Sequence, residues 1–85
     1  MQELGSIFVP VGYEGFPNLK RGARLFYRGM EDERKAHAMV SVEWGPTETW
    51  VVVRLQEDYE ISGRAIPAGN LVLARPGEIY EMIRQ

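Results

Sequence analysis

The feature that most constrains the fold is a two-residue alternation of apolar and polar side chains on both sides of a turn. Between positions 36 and 44 every even residue is apolar: Ala36, Ala38, Val40, Val42 and Trp44. Gly45-Pro46 interrupts the pattern, and Val51, Val53 and Leu55 then resume it. Because successive side chains of a β-strand point to opposite faces, the pattern predicts two half-buried strands that form a hairpin.

The same alternation predicts which tryptophan faces the core. If the hairpin loop has four residues, Trp44 lies opposite Thr49. The next pair on that face is Val42 and Val51, so that valines meet valines. A slip of one residue would turn the apolar side of one strand to water. This register predicts that Trp44 points inward and that Trp50 points outward.

Further strands are predicted on both sides of the hairpin. Residues 22–29 begin and end with glycine, and the side chains between them alternate in the same way. Residues 71–74 are predicted to form a short strand before a Pro-Gly turn. Segments 59–61 and 64–66 flank Ser62-Gly63, which predicts either a bulge in one strand or a turn between two. In the terminal segment 78–85, apolar residues recur at helical spacing, which favours a short helix over a last strand.

Length and composition indicate one small domain that spans residues 1–85. A chain of 85 residues forms a single core. The absence of cysteine excludes disulfides, thiolate metal sites and thiol catalysis. The apolar run of residues 7–11 is too short for a membrane span or a signal-peptide core. We therefore expect a cytoplasmic protein without a membrane partner.

The order of features from residue 19 to 74 resembles the small five-stranded SH3-like barrel of the KOW and Tudor type. Segment 19–25, LKRGARL, resembles the first strand of that barrel, which is entered through a glycine. Segment 66–71, IPAGNL, resembles the short 3₁₀ turn before the closing strand. The resemblance implies an all-β barrel that recognises peptides, nucleic acid or subunits of an assembly. An apolar N-terminal extension (1–17) and the terminal segment 78–85 lie outside it.

Residues capable of catalysis or metal binding are sparse. His37 is the only histidine, and as an outward strand residue it is expected to be an ordinary surface side chain. The acidic clusters 31–33 and 57–60 lack the spacing and glycine of a calcium loop. The sequence thus predicts no catalytic residues, no metal and no cofactor, and the protein is not expected to be an enzyme.

The outer face of the hairpin is the predicted partner-binding surface. Apolar side chains stand there where polar ones are expected, and the site comprises Trp50, Val52, Met39, Phe26 and Arg54. Covering a large aromatic removes about 150–250 Å² of surface, worth at most ~4–6 kcal/mol. Three coverings are possible: the chain's own terminal segments, a second copy in a homo-oligomer, or another protein. The predicted function is a non-enzymatic protein-interaction or assembly module.

An alternative hypothesis is binding of RNA or single-stranded DNA. Basic residues alternate with an aromatic one in the first predicted strand and its approach: Lys20, Arg21, Arg24, Phe26 and Arg28. Such a strand combines phosphate pairing with base stacking. The net charge of −2 argues against generic binding to nucleic acid, because duplex-binding domains usually carry a clear basic excess.

Overall fold

A computed structural model describes residues 6–30, 36–47 and 49–84 of the chain. These residues contain a single 3₁₀ turn, Phe16–Asn18, and eight strands: β1 (Ser6–Pro10), β2 (Arg24–Tyr27), β3 (Ala38–Trp44), β4 (Val51–Leu55), β5 (Tyr59–Ile61), β6 (Arg64–Ile66), β7 (Leu71–Ala74) and β8 (Ile79–Arg84). The protein is therefore all-β, as the alternation predicts. Its Cα radius of gyration is 12.8 Å. A compact domain of this length is expected to have about 12 Å.

Six strands form one antiparallel sheet in the order β1-β8-β2-β3-β4-β7, and β5 pairs with β6 in a separate hairpin. The two sheets have eight strands in the described part of the chain, where the sequence predicted five. The six-stranded sheet is not closed into a barrel, because β1 and β7 remain its edges. The apolar extension contributes β1, so it belongs to the sheet and does not lie apart from it.

The terminal segment is a strand, and the helix favoured for it is wrong. β8 pairs with β1 from Ser6↔Arg84 to Pro10↔Tyr80, and its first two residues also pair with β2. An isolated helix of this length is marginal in water, because few hydrogen bonds compensate for its nucleation. Pairing with two neighbouring strands satisfies the same backbone groups at once.

One face of the six-stranded sheet, the inner face, carries the core. Its buried side chains are Leu25, Tyr27, Ala38, Val40, Val42, Val51, Val53, Leu55, Ala74 and Ile79. Phe16 of the 3₁₀ turn is fully buried in the same cluster, and Tyr59 of β5 packs its ring edge-on to Tyr27 at 5.7 Å. The opposite, outer face carries Phe8, Phe26, Met39, Ser41, Trp44, Val52, Arg54, Leu73 and Tyr80.

The β3–β4 hairpin has the predicted faces but a different register. Val42 lies opposite Val53 instead of Val51, and Val40 lies opposite Leu55. This shift of two residues keeps the same apolar set on the inner face, since strand side chains repeat every second residue. The loop 45–50 is longer than the predicted turn, so alternation alone could not distinguish the two registers.

The Ser62-Gly63 pair forms a turn between two strands, which is the second of the two predicted alternatives. Ser62 has φ 50° and Gly63 has φ 77°. Two consecutive positive φ values characterise the tight hairpin turn whose twist matches that of the flanking strands. Glycine adopts this conformation without a steric cost. The turn therefore joins β5 to β6 directly.

Candidate partner-binding surface

Trp44 is on the outer face, so the prediction that it points inward is wrong. The register of β3 and β4 shifts between Val42 and Trp44, which places Trp44 opposite Val52. A bulge of this kind sets two residues against one and reverses the side to which the following side chain points. Trp44 is 62% exposed as a result.

The bulged residue, Glu43, forms an ion pair on the outer side. Its Oε1 atom accepts a hydrogen bond from Nη2 of Arg54 at 3.0 Å. Nη1 of the same guanidinium donates to the carbonyl oxygen of Gly69. Both side chains are only partly buried, so the pair contributes at most about 1 kcal/mol to folding. The pair lies beside the bulge that turns Trp44 outward.

Trp50 lies at the end of the hairpin loop and is held there by Thr47. The Thr47 hydroxyl oxygen accepts hydrogen bonds from the backbone N–H groups of Trp50 at 3.1 Å and Thr49 at 3.3 Å. The backbone N–H of Thr47 donates in return to the carbonyl oxygen of Trp50 at 2.9 Å. The backbone of Trp50 is thus fixed, while its side chain is exposed as predicted.

A groove of about 480 Å³ runs beside Trp50. Its walls include Tyr13, Met30, Trp50, Leu73, Arg75 and Pro76. Tyr13 is 69% exposed and Leu73 is 54% exposed, so large apolar surfaces border the groove. Leu73 also lies opposite Val52 and thereby joins the groove to the outer-face row Trp44–Val52–Leu73. We call the groove residues Tyr13, Met30, Trp50 and Leu73, together with Trp44 and Val52, the docking patch.

The other end of the outer face carries a ring cluster formed by Phe8, Phe26, His37 and Tyr80. The ring of Phe8 stacks on His37 with centroids 4.0 Å apart and meets Phe26 edge-on at 5.1 Å. His37 contacts Tyr80 edge-on at 4.4 Å. The guanidinium of Arg28 lies 5.4 Å from the Tyr80 ring centroid, and its Nη2 donates to the Tyr80 hydroxyl at 3.3 Å.

His37 is a component of this cluster and not the ordinary surface side chain that was expected. Its Nε2 atom is buried and has no hydrogen-bond partner among the described residues. Burial of the ring, and secondarily the positive charge of Arg28, lower the pKa of His37 below its usual range. The neutral imidazole is therefore the form that fits between the aromatic rings.

The predicted partner-binding residues do not lie together on the outer face. Met39 lies opposite Phe26 next to the ring cluster. Val52 and Trp50 belong to the docking patch, whereas Arg54 lies between the two places in its ion pair with Glu43. The docking patch also contains Tyr13, Met30 and Leu73, which the sequence did not single out, and Trp44, which was predicted to point inward. In β7, Leu71 and Leu73 alternate with a valine and an alanine, so this strand is apolar on both sides. That pattern was the sequence signal that could have indicated Leu73 as a surface residue of a binding site.

The residues of the nucleic-acid hypothesis lie in β2 and next to it. Lys20 and Arg21 lie in the turn before β2, and Arg24 is exposed on β2. Arg28 interacts with Tyr80, and Phe26 contacts Phe8 within the ring cluster. Binding of RNA or single-stranded DNA through these residues stays a prediction.

Two acidic side chains of the cluster 57–60 have structural partners. A Glu57 carboxylate oxygen accepts a hydrogen bond from the Met39 backbone N–H at 2.8 Å, and an Asp58 oxygen accepts one from Ala68 at 2.8 Å. Within ranges 6–30, 36–47 and 49–84, no three His, Cys, Asp or Glu side chains lie together as a metal site would require. The acidic cluster 31–33 lies outside the described residues.

Comparisons with known proteins give no relative for this chain. No protein-family model matches the sequence, no curated protein matches it, and no solved structure matches the fold. In the part of the chain that the structure describes, no helix has the length and hydrophobicity of a membrane span. The docking patch is therefore the feature of this chain that indicates a function.

Proposed function

We propose that this protein is a non-enzymatic interaction module that binds an extended segment of a partner protein at the docking patch. The observation that carries the proposal is the exposed apolar row Trp44–Val52–Leu73, which continues into a groove beside Trp50. Apolar surface of this extent on a small domain is typical of an interaction site. Tryptophan and tyrosine are also the residues that most often dominate binding energies.

The groove favours a peptide segment over the flat face of a folded protein. A concavity of about 480 Å³ accommodates a few side chains of an extended chain. Thr47 fixes the Trp50 backbone before binding, which lowers the entropy lost when the complex forms. The preferred ligand therefore presents apolar side chains to Trp50, Tyr13 and Leu73.

Charge favours a different protein over a second copy at this patch. Arg75 is exposed at the groove wall. If two copies paired face to face here, the contact would enclose two Arg75 guanidinium groups, whereas an acidic residue of a partner would pair with one. We therefore assign the groove to a partner segment that combines apolar residues with a carboxylate.

The SH3-like character of the domain is part of the same proposal. Strands β2, β3, β4 and β7 follow one another across the sheet, and β8 returns to pair with β2. The closing strand of the resemblance is β7, which does not pair with β2, so the support for this part of the proposal is the run of antiparallel neighbours β2, β3, β4 and β7 alone. The cytoplasmic location expected from the sequence belongs to the proposal as well.

The test is selection of peptides of about twelve residues from a random phage-displayed library on the full chain. Selected peptides should contain apolar residues and at least one acid. Binding measured by calorimetry should weaken about tenfold or more in Trp50→Ala, which corresponds to ~1.4 kcal/mol. Met39→Ala is the matched control, because Met39 is equally exposed on the outer face but lies beside the ring cluster, and it should leave the affinity unchanged.

Two results would contradict the proposal. The first is a failure to select any peptide that binds the folded chain. The second is a peptide whose affinity falls equally in Trp50→Ala and Met39→Ala, since binding would then not be centred on the groove. Circular dichroism of both variants verifies that the sheet is intact before affinities are compared.

A further inference from the structure

β1 is a sheet edge that carries almost none of the usual protection against strand pairing. It pairs with β8 along its whole length, and no other strand of the described residues pairs with it. Its five residues, Ser6-Ile7-Phe8-Val9-Pro10, include no charge. Edge strands are normally blunted by charged side chains, bulges or a covering segment, because their free backbone groups attract another strand. In β1 the only residue of a protective kind is Pro10, which has no N–H to offer to another strand.

The hydrogen-bond pattern shows which backbone groups of β1 face outward. The backbone N–H of Val11 donates to the carbonyl oxygen of Ile79 at 2.8 Å, so the odd-numbered residues face β8. The N–H and C=O groups of Ser6 and Phe8, and the C=O group of Pro10, therefore point to the free edge. Proline has no N–H, and at this position its missing donor takes nothing from the ladder to β8.

We infer that β1 pairs antiparallel with β1 of a second copy of the chain, with Phe8 on the two-fold axis. In this register each Phe8 N–H donates to the carbonyl oxygen of the partner's Phe8. Each Ser6 N–H donates to the carbonyl oxygen of the partner's Pro10. The strand is thus complementary to itself except at the Ser6 carbonyl oxygen, which receives no hydrogen bond because Pro10 has no N–H.

The side chains on both faces support the same register. Ile7 comes to lie opposite the partner's Val9 on one face. Ile7 is 43% exposed in the single chain, and its neighbour Ile83 on β8 is 48% exposed, so the pairing extends and covers an existing apolar row. On the other face Phe8 lies beside the partner's Phe8. No like charges face each other across the new ladder, since β1 has none.

The symmetry of this contact limits the assembly to a dimer. A contact that uses the same strand on both subunits closes after two copies, whereas pairing of β1 with the opposite edge strand β7 would continue into an open chain. β7 and the docking patch lie at the other side of the sheet. The dimer therefore goes beyond the proposed peptide binding and presents two docking patches on one continuous sheet, which raises avidity for a partner with two segments.

The experiment is sedimentation equilibrium of the full chain over a concentration series up to about 300 µM, because a short strand contact gives a weak dimer. The mass should rise from 9.7 kDa towards twice that value. Ile7→Lys should raise the dissociation constant about tenfold or more, because it places two charges opposite apolar side chains in the contact. Ile83→Lys is the matched control: it adds the same charge to the same row, one strand away from the edge, and should change the constant by less than about threefold.

A second variant tests the hydrogen-bond register and is expected to strengthen the dimer. Pro10→Ala adds an N–H that faces the free edge and can donate to the carbonyl oxygen of the partner's Ser6, so the dissociation constant should fall severalfold. Pro10 is exposed, and two-dimensional NMR spectra verify that each variant keeps the fold. A monomer throughout the series, open-ended growth, weaker association in Pro10→Ala, or equal loss in Ile7→Lys and Ile83→Lys would each overturn the inference.

Discussion

The two ends of the outer face contain similar side chains in opposite situations. In the ring cluster, Phe8, Phe26, His37 and Tyr80 cover one another at centroid distances of 4.0 to 5.1 Å. In the docking patch, Trp44 and Leu73 stay mostly exposed. Met39 and Trp44 on the same strand mark the two ends, about 16 Å apart at 3.3 Å per residue. An aromatic side chain on a sheet face therefore indicates a binding surface only where no other ring covers it.

The strand order explains this difference. The ring cluster lies where β1, β8, β2 and β3 are neighbours, so rings from several strands meet on one face. The docking patch lies at the β4–β7 end, and β7 is the last strand of the sheet. Leu73 on this edge strand therefore has a neighbouring strand on one side only. A partner that binds at the docking patch would supply the contacts that β1 and β8 supply to the ring cluster.

The largest effect is expected from Tyr80→Ala, which removes a buried ring from the ring cluster. The free energy of unfolding should fall by about 3 kcal/mol, because the contacts to His37 and the hydrogen bond from Arg28 are lost together. Urea denaturation followed by circular dichroism measures the change. Tyr13→Ala is the matched control at the docking patch, and its cost should stay below about 0.5 kcal/mol. Equal costs for the two tyrosines would remove the distinction between the two regions.

A smaller effect is expected from acidification, and it should be confined to the ring cluster. The pKa of His37 is lower in the folded protein than in the unfolded chain, so the unfolded chain binds a proton first as the pH falls. The contribution of His37 to the free energy of unfolding is therefore fully present above the unfolded pKa of about 6.5. It declines as the pH falls from there through the folded pKa. Denaturation curves between pH 7.5 and pH 5 should show this decline, whereas His37→Phe keeps a ring without a titrating group. A decline of the same size in His37→Phe would show that carboxylates cause it.

The smallest effect on stability is expected from Trp44→Ala. An exposed side chain on the outer side of a bulge contributes little to folding, so the free energy of unfolding should change by less than about 1 kcal/mol. Val42→Ala, two residues earlier on the inner face, should cost about 2 kcal/mol because it leaves a cavity. A large loss in Trp44→Ala would instead place this tryptophan in the core, as the regular hairpin register predicted.

Local alternation was sufficient to predict strands β3 and β4 and their buried faces. Ala38, Val40, Val42, Val51, Val53 and Leu55 are all buried as the two-residue period indicates. The outward side chain of Trp50 was also predictable, because the same period places it opposite to Val51. These features depend on the order of neighbouring residues, since each side chain of a strand points away from the next.

Tertiary structure alone decided the position of Trp44, the strand identity of the terminal segment and the composition of the docking patch. The bulge at Glu43 lies beside its ion pair with Arg54, and β8 pairs with β1 from the other end of the sequence. The groove joins Tyr13, Trp50 and Leu73, which are far apart along the chain. A periodic pattern reports which side of a strand is apolar, but it does not report which strand lies beside it. Those neighbours are chosen by long-range backbone pairing and by the ion pairs and ring contacts that accompany it.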